Sequence, residues 1–161
     1  MQVGLNTDYL QRQPERLVIE GYRRWTTGFV TGSIVPWEMA RELYSEILGE
    51  QDAGLALNNL SQYVRTLRRC ATCPLRSFPH NSSHMCMEEC LTIGLIAGLQ
   101  HEDDTAAICL HHIACQQMCD EVKNAALEFA NTLRDFGQVL LPVPTLVVND
   151  ILNRSKETSF H

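Results

Sequence analysis

The stretch CMEECLTIGLIAGLQHEDDTAAICLHHIACQQMC, residues 86–119, decides how this chain folds. Residues four apart share one face of a helix, so Cys86 with Cys90, and Cys115 with Cys119, each place two thiols one turn apart. HEDD, at 101–104, reads as a turn whose acids cap the helix that follows, and Ser83 suits the N-cap of a helix running to about Gln100. Two helices joined by a short turn pack antiparallel. The cysteine pairs lie symmetrically about the turn, which sets Cys86 level with Cys119 and Cys90 level with Cys115. Gly94, opposite His111, would let the backbones come close. From Gly98 to Gly137 there is no Gly or Pro. That predicts one helix of about 33 residues, roughly 50 Å long, or two that meet near Cys119 and Asp120.

The helical period continues on both sides. Leu17 or Val18, Tyr22, Trp25 and Phe29 form one face, and Gly32 ends that helix. Pro36 suits a first turn, Met39, Leu43, Ile47 and Leu48 supply the next face, and Gly49 closes it. A third helix is expected from about Asp52, with Leu57, Leu60, Val64, Leu67, Cys70 and Cys73 along its stripe and Pro74 stopping it. LRSFPHNSSH (75–84) is a loop. After Gly137, LLPVPTLVV reads as an extended strap, with a short helix near Asn149. The expected fold is all-α: a single domain over 1–161, a bundle of about five to six helices with an extended C-terminal segment and flexible ends at 1–12 and 154–161.

Bulk properties narrow the function. The apolar fraction of 45% and charged fraction of 20% are those of a globular chain. No apolar run spans a membrane, and MQVGLNTDYLQRQPER lacks the basic start and apolar stretch of a secretory signal. A cytoplasmic, reduced protein is therefore expected. Residues 1–80 carry nine Arg against eight acids, and residues 81–161 four bases against eleven acids. An acidic half disfavours nucleic acid as a partner, and Arg65, Arg68, Arg69 and Arg76 read as a solvated stripe.

The cysteines carry the chemistry. Cys86, Cys90, Cys115 and Cys119 can share one seam of the hairpin, with Cys70 and Cys73 as the next ring. Soft thiolates at such spacing suit zinc, copper or an iron–sulfur cluster, and His80, His84, His111 or His112 can complete or tune the set. A rival grouping joins CATC (70–73) to CMEEC (86–90). Cys86, in a first helical turn, is expected to have a lowered pKa, while Cys109 reads as a buried filler. Helix-spaced cysteines are also ordinary core residues, and the same thiols can serve as a redox switch. Paired helix-borne CxxxC segments resemble the twin cysteine motif of the small mitochondrial intermembrane-space chaperones, which implies a disulfide-stapled hairpin. The match covers about a fifth of the chain, beside extra cysteines and a long N-terminal helical region. The CxxxC thiols also resemble those of cysteine-rich four-helix-bundle copper-storage proteins, which carry more cysteines than the seven here.

No phosphate loop, GxSxG or HExxH occurs, so an enzyme is not expected. Two functional readings follow. One is a small regulatory protein whose cysteine pole binds a thiophilic metal or senses redox state. The other is a helical adaptor that binds another protein and keeps its cysteines structural. Arg23, Arg24 and Trp25 in GYRRWTTGF are its candidate partner-binding residues. A homo-oligomer is compatible with either.

Overall fold

At the centre of the fold is the helix whose sequence is apolar on every side. The computed structural model describes residues 9–70 and 77–158. Among these residues there are seven α-helices and no strand: α1 (Gln13–Thr31), α2 (Val35–Leu48), α3 (Glu50–Cys70), α4 (Met87–His101), α5 (Thr105–Ile113), α6 (Cys119–Asp135) and α7 (Thr145–Thr158). Side chains from Glu89 to Gly98 on α4 are all buried, because α1, α5, α6 and α7 each pack against it. A helix without a polar face can be stable only when neighbours cover it in this way. α3 packs in turn on α1, α2 and α6, and one contiguous core runs through all seven helices. No helix among the described residues is long and apolar enough to cross a membrane.

The α4–α5 hairpin forms about the predicted turn. Its register is read from two glycines. A Cβ built on Gly98 would lie 2.5 Å from the Ala106 amide nitrogen, and one built on Gly94 would lie 2.5 Å from Cys109 Sγ. Gly94 therefore meets Cys109 rather than His111. Cys86, rather than Ser83, is the N-cap of α4. Its N–H donates to Glu89 Oε1 at 3.1 Å, the carboxylate half of a capping box.

Glu89 also organises the loop before α4. Its side chain is wholly buried and Arg23 is 1% exposed. Arg23 Nε donates to Glu89 Oε2 at 2.8 Å and Nη2 to Oε1 at 3.1 Å. Nη1 donates to Glu20 Oε2 at 2.9 Å and to the Ser82 carbonyl at 3.0 Å, and Nη2 reaches the His84 carbonyl at 2.5 Å. The guanidinium fork is thus used on every nitrogen. Glu89 also accepts the Phe78 N–H at 2.9 Å, and Glu20 accepts the Asn81 N–H and Arg24. Burial alone would lower the pKa of Arg23, and the two carboxylates more than reverse this. Arg23 and Arg24, expected as partner-binding residues, are both buried: Arg23 holds loop 77–86 to α1, and Arg24 pairs with Glu20 on its own helix.

The chain after Gly137 is extended only over 138–144, and α7 then runs to Thr158. Side chains fasten this strap. Gln100 accepts the Leu140 N–H at 2.8 Å and donates to the Gln138 carbonyl at 3.0 Å. Thr105 Oγ1 donates to the Val143 carbonyl at 2.8 Å, and Glu15 accepts the Leu141 N–H at 2.8 Å. The expected flexible ends are helical where they are described, in a 3₁₀ turn at Tyr9–Gln11 and in the last turns of α7.

Candidate functional site: a thiol pair at a helix break

After the turn, the stretch to Gly137 holds two α-helices, α5 and α6, with the break just before Cys119, the second of the two expected arrangements. α5 stops at Ile113, Ala114 and Cys115 are extended, Gln116–Met118 form a 3₁₀ turn, and α6 starts at Cys119. The reason lies in helical phase. The buried residues of α5 are Thr105, Ala106, Cys109 and Leu110, and those of α6 are Val122, Ala126, Phe129, Ala130 and Leu133. On one continuous helix these stripes would face well apart, roughly 150° at 3.6 residues per turn. The break lets both stripes reach the core. This phase conflict was the signal in the sequence that locates the break.

The break brings Cys115 to the C-terminus of α3. Cys70 Sγ lies 2.7 Å from Cys115 Sγ, and the Cys115 N–H points at Cys70 Sγ at 2.8 Å. The two thiols differ electrostatically. A hydrogen bond from Cys70, followed by the amides of Met118, Cys115 itself and Gln117, lowers the Cys115 pKa against a smaller opposing effect of desolvation. Burial raises that of Cys70, which is 8% exposed, and the neighbouring Cys115 and Cys119 add to the rise. Cys115 is therefore the more readily ionised of the two, and Cys70 is the thiol that donates to it.

The other sulfurs behave differently. Burial pushes Cys86 up to about 12, helped by the Glu89 and Glu88 carboxylates, so the lowered pKa expected from its place in the first turn is overturned by its surroundings. Cys109 is pushed up to about 12 by burial, and Cys90 is raised by burial and by Cys86. At pH 7 a thiol titrating near 12 is ionised to only about one part in 10⁵. Cys90 and Cys109 are core residues, and Cys86 is half-buried at the N-cap of α4. Raised thiol pKa values stabilise the folded state below the unfolded thiol value of about 9 and lose that contribution as pH rises toward about 12. Unfolding midpoints in urea should therefore fall steadily above pH 9. The fall should be shallower in Cys109→Ala; an equal slope in that variant would remove Cys109 as a contributor.

The pairing of Cys86 with Cys119 and Cys90 with Cys115 does not form. Cys86 and Cys90 lie by α4 with Cys109, whereas Cys115 and Cys119 lie by Cys70. Among the described residues no three His, Cys, Asp or Glu side chains come together as ligands of one metal ion. His80, His84, His111 and His112 are exposed, and the rings of the last two meet edge to face at 5.3 Å. Cys73 lies outside the described residues, as does Arg76. Trp25 stacks on Trp37, with ring centroids 5.4 Å apart, in a separate groove on the α1–α2 side.

The fold and site define an all-α protein with an asymmetric thiol pair at a helix break. Comparison with protein-family models, curated proteins and solved structures finds no match to this chain.

Proposed function

We propose that this protein is a thiol-based redox sensor with a regulatory role, in which Cys115 is the reactive residue and Cys70 its resolving partner. The observation that carries the proposal is the 2.7 Å approach of the two sulfurs, with Cys70 donating to Cys115, whose pKa that hydrogen bond and then nearby backbone amides lower. Sulfur chemistry supplies the reaction. Cys115 thiolate attacks the terminal oxygen of a hydroperoxide, the O–O bond breaks, and the alcohol leaves with a proton from solvent. Cys115 is now a sulfenic acid. Cys70 then attacks that sulfur, the S–O bond breaks, water leaves, and a Cys70–Cys115 disulfide remains. The cysteines have lost two electrons and the peroxide has gained them. Reduction by a dithiol reverses the state through a mixed disulfide.

Such a bond closes a loop of 45 residues, which loop entropy values at up to about 4 kcal/mol. Oxidation would thus stiffen the junction of α3, α5 and α6. A metal-binding reading has less support, since no three ligands converge among the described residues.

The test is mass spectrometry of the intact reduced protein after stoichiometric hydrogen peroxide. A loss of two hydrogens, mapped by peptides to Cys70–Cys115, is expected in the wild type. Cys70→Ser should instead accumulate a sulfenic acid at Cys115 that a dimedone-type reagent traps, and Cys115→Ser should do neither. If Cys86, Cys90 or Cys109 oxidises as fast as Cys115, the reading is wrong.

A further inference from the structure

Between the first turns of α1 and the loop before α4 lies a half-enclosed cleft of about 320 Å³. Three segments supply its walls: the 3₁₀ turn at Tyr9–Gln11, helix α1, and residues 81–83. Only Leu10 and Ile19 on its lining are apolar. A small volume with a few polar groups converging from separate segments is the usual form of a small-molecule site.

One wall is built and already occupied with its own bonds. Glu20 and Arg23 are 6% and 1% exposed. Glu20 accepts from Arg23, Arg24 and the Asn81 N–H, and Arg23 spends its donors on two carboxylates and two loop carbonyls. These bonds hold residues 81–83 at a fixed place beside α1, so the cleft is preformed.

The rest of the lining is not committed in this way. Arg16 is half-buried, yet it makes no ion pair among the described residues. The carboxamides of Gln11 and Asn81 and the hydroxyl of Ser83 line the same cleft. A guanidinium taken partly out of water without an anion beside it loses hydration that nothing in the chain returns.

Charge then selects the ligand. The lining carries Arg16 and Arg23 against Glu20, a net of +1. Arg24 and Glu89, which complete the buried network behind it, leave that sum unchanged. One negative charge balances the cleft, whereas a second would face the Glu20 carboxylate with no cation to answer it. The planar fork of an arginine matches the two oxygens of a carboxylate.

We infer that this cleft binds a small organic monocarboxylate. Its carboxylate is held by Arg16, its short apolar part lies on Leu10 and Ile19, and its hydroxyl or amide groups bond to Gln11, Asn81 and Ser83. The inference is independent of the thiol pair, since neither Cys70 nor Cys115 lines the cleft.

Saturation-transfer NMR and thermal melting of the full-length reduced protein test it. The probes are 2-hydroxybutyrate, its neutral amide 2-hydroxybutyramide, and inorganic phosphate. 2-Hydroxybutyrate should bind saturably and raise the melting temperature, as a ligand of the folded state must. The amide, which lacks the charge, should bind at least about tenfold more weakly, and so should phosphate. Arg16→Met should weaken 2-hydroxybutyrate binding by at least about tenfold and Arg16→Lys by less, while both melt as wild type does without ligand. Arg41→Met, on α2 and away from the cleft, should bind as wild type does. Binding of none of the probes, equal binding of acid and amide, or full binding by a folded Arg16→Met protein would overturn the inference. An equal loss in Arg41→Met would do the same by showing that only overall charge matters. Phosphate bound as tightly as the carboxylate would overturn the ligand class in favour of a general anion site.

Discussion

Glu89→Gln should lower the folding stability by about 3–5 kcal/mol, the usual cost of removing one partner of a buried ion pair. The substitution keeps the size of the side chain and removes its charge. Arg23, 1% exposed, would then keep Glu20 as its carboxylate partner, and an amide nitrogen would face the Phe78 or Cys86 N–H that Glu89 now accepts. Arg23→Met should cost a similar amount by leaving Glu89 charged with backbone donors alone. Replacing both with apolar residues of matching volume should cost less than the sum, because no uncompensated charge then remains. Urea unfolding followed by circular dichroism measures all three variants. A single substitution costing under about 1 kcal/mol would mean that loop 77–86 relaxes enough to admit water. Partial opening of that loop would have its own signature: Cys86, whose N–H is held by Glu89, should become easier to alkylate in Glu89→Gln.

The same substitution at two helical glycines should change stability in opposite directions. Gly98→Ala puts a methyl 2.5 Å from the Ala106 amide nitrogen and 2.8 Å from its Cβ. The obstacle is backbone, so α5 must move as a unit away from α4, at about 1–3 kcal/mol for an overpacked interface. For a domain of this length that corresponds to a loss of roughly 3–10 °C in melting temperature. Gly54→Ala meets nothing within 4 Å and gains about 0.5–1 kcal/mol by restricting the unfolded chain, a rise of about 2–3 °C. Helix propensity is the same in both cases, so the difference between the two melting curves isolates the α4–α5 contact. Equal shifts would show that the hairpin tolerates a wider spacing than its register implies.

Much of the fold followed from local pattern. The apolar stripes of α1, α2, α3 and α6 recur at helical steps, so each could bury only one face, and HEDD with Gly94 pointed to a close hairpin there. The all-round apolar run from Leu91 to Leu99 could be stable only as a central helix, although that consequence emerges clearly only with its neighbours in place. Helix ends were placed less well where side chains from elsewhere intervene. Ser83 is a good N-cap by type, but α4 starts at Cys86 because Glu89, its capping partner, is also held by Arg23 on another helix.

What the sequence by itself determined is the all-α class and the apolar faces of α1, α2 and α3, since period and side-chain volume act within a turn or two of the chain; the extent of α7 and the buried face of α5 came only with the fold. The choice of which thiols meet was made by the tertiary structure. CMEEC and CQQMC share a spacing, yet Cys90 sits in the core with Cys109, Cys86 caps α4, and Cys115 meets Cys70 across 45 residues. The phase conflict between the α5 and α6 stripes forces a break, and the break swings Cys115 out of the hairpin toward the end of α3. Arg23 shows the same division. Its neighbours along the chain mark it as part of a helix, and only the arrival of Glu89 and the loop carbonyls makes it a buried residue, because a guanidinium leaves water only where other parts of the fold satisfy all its donors and its charge.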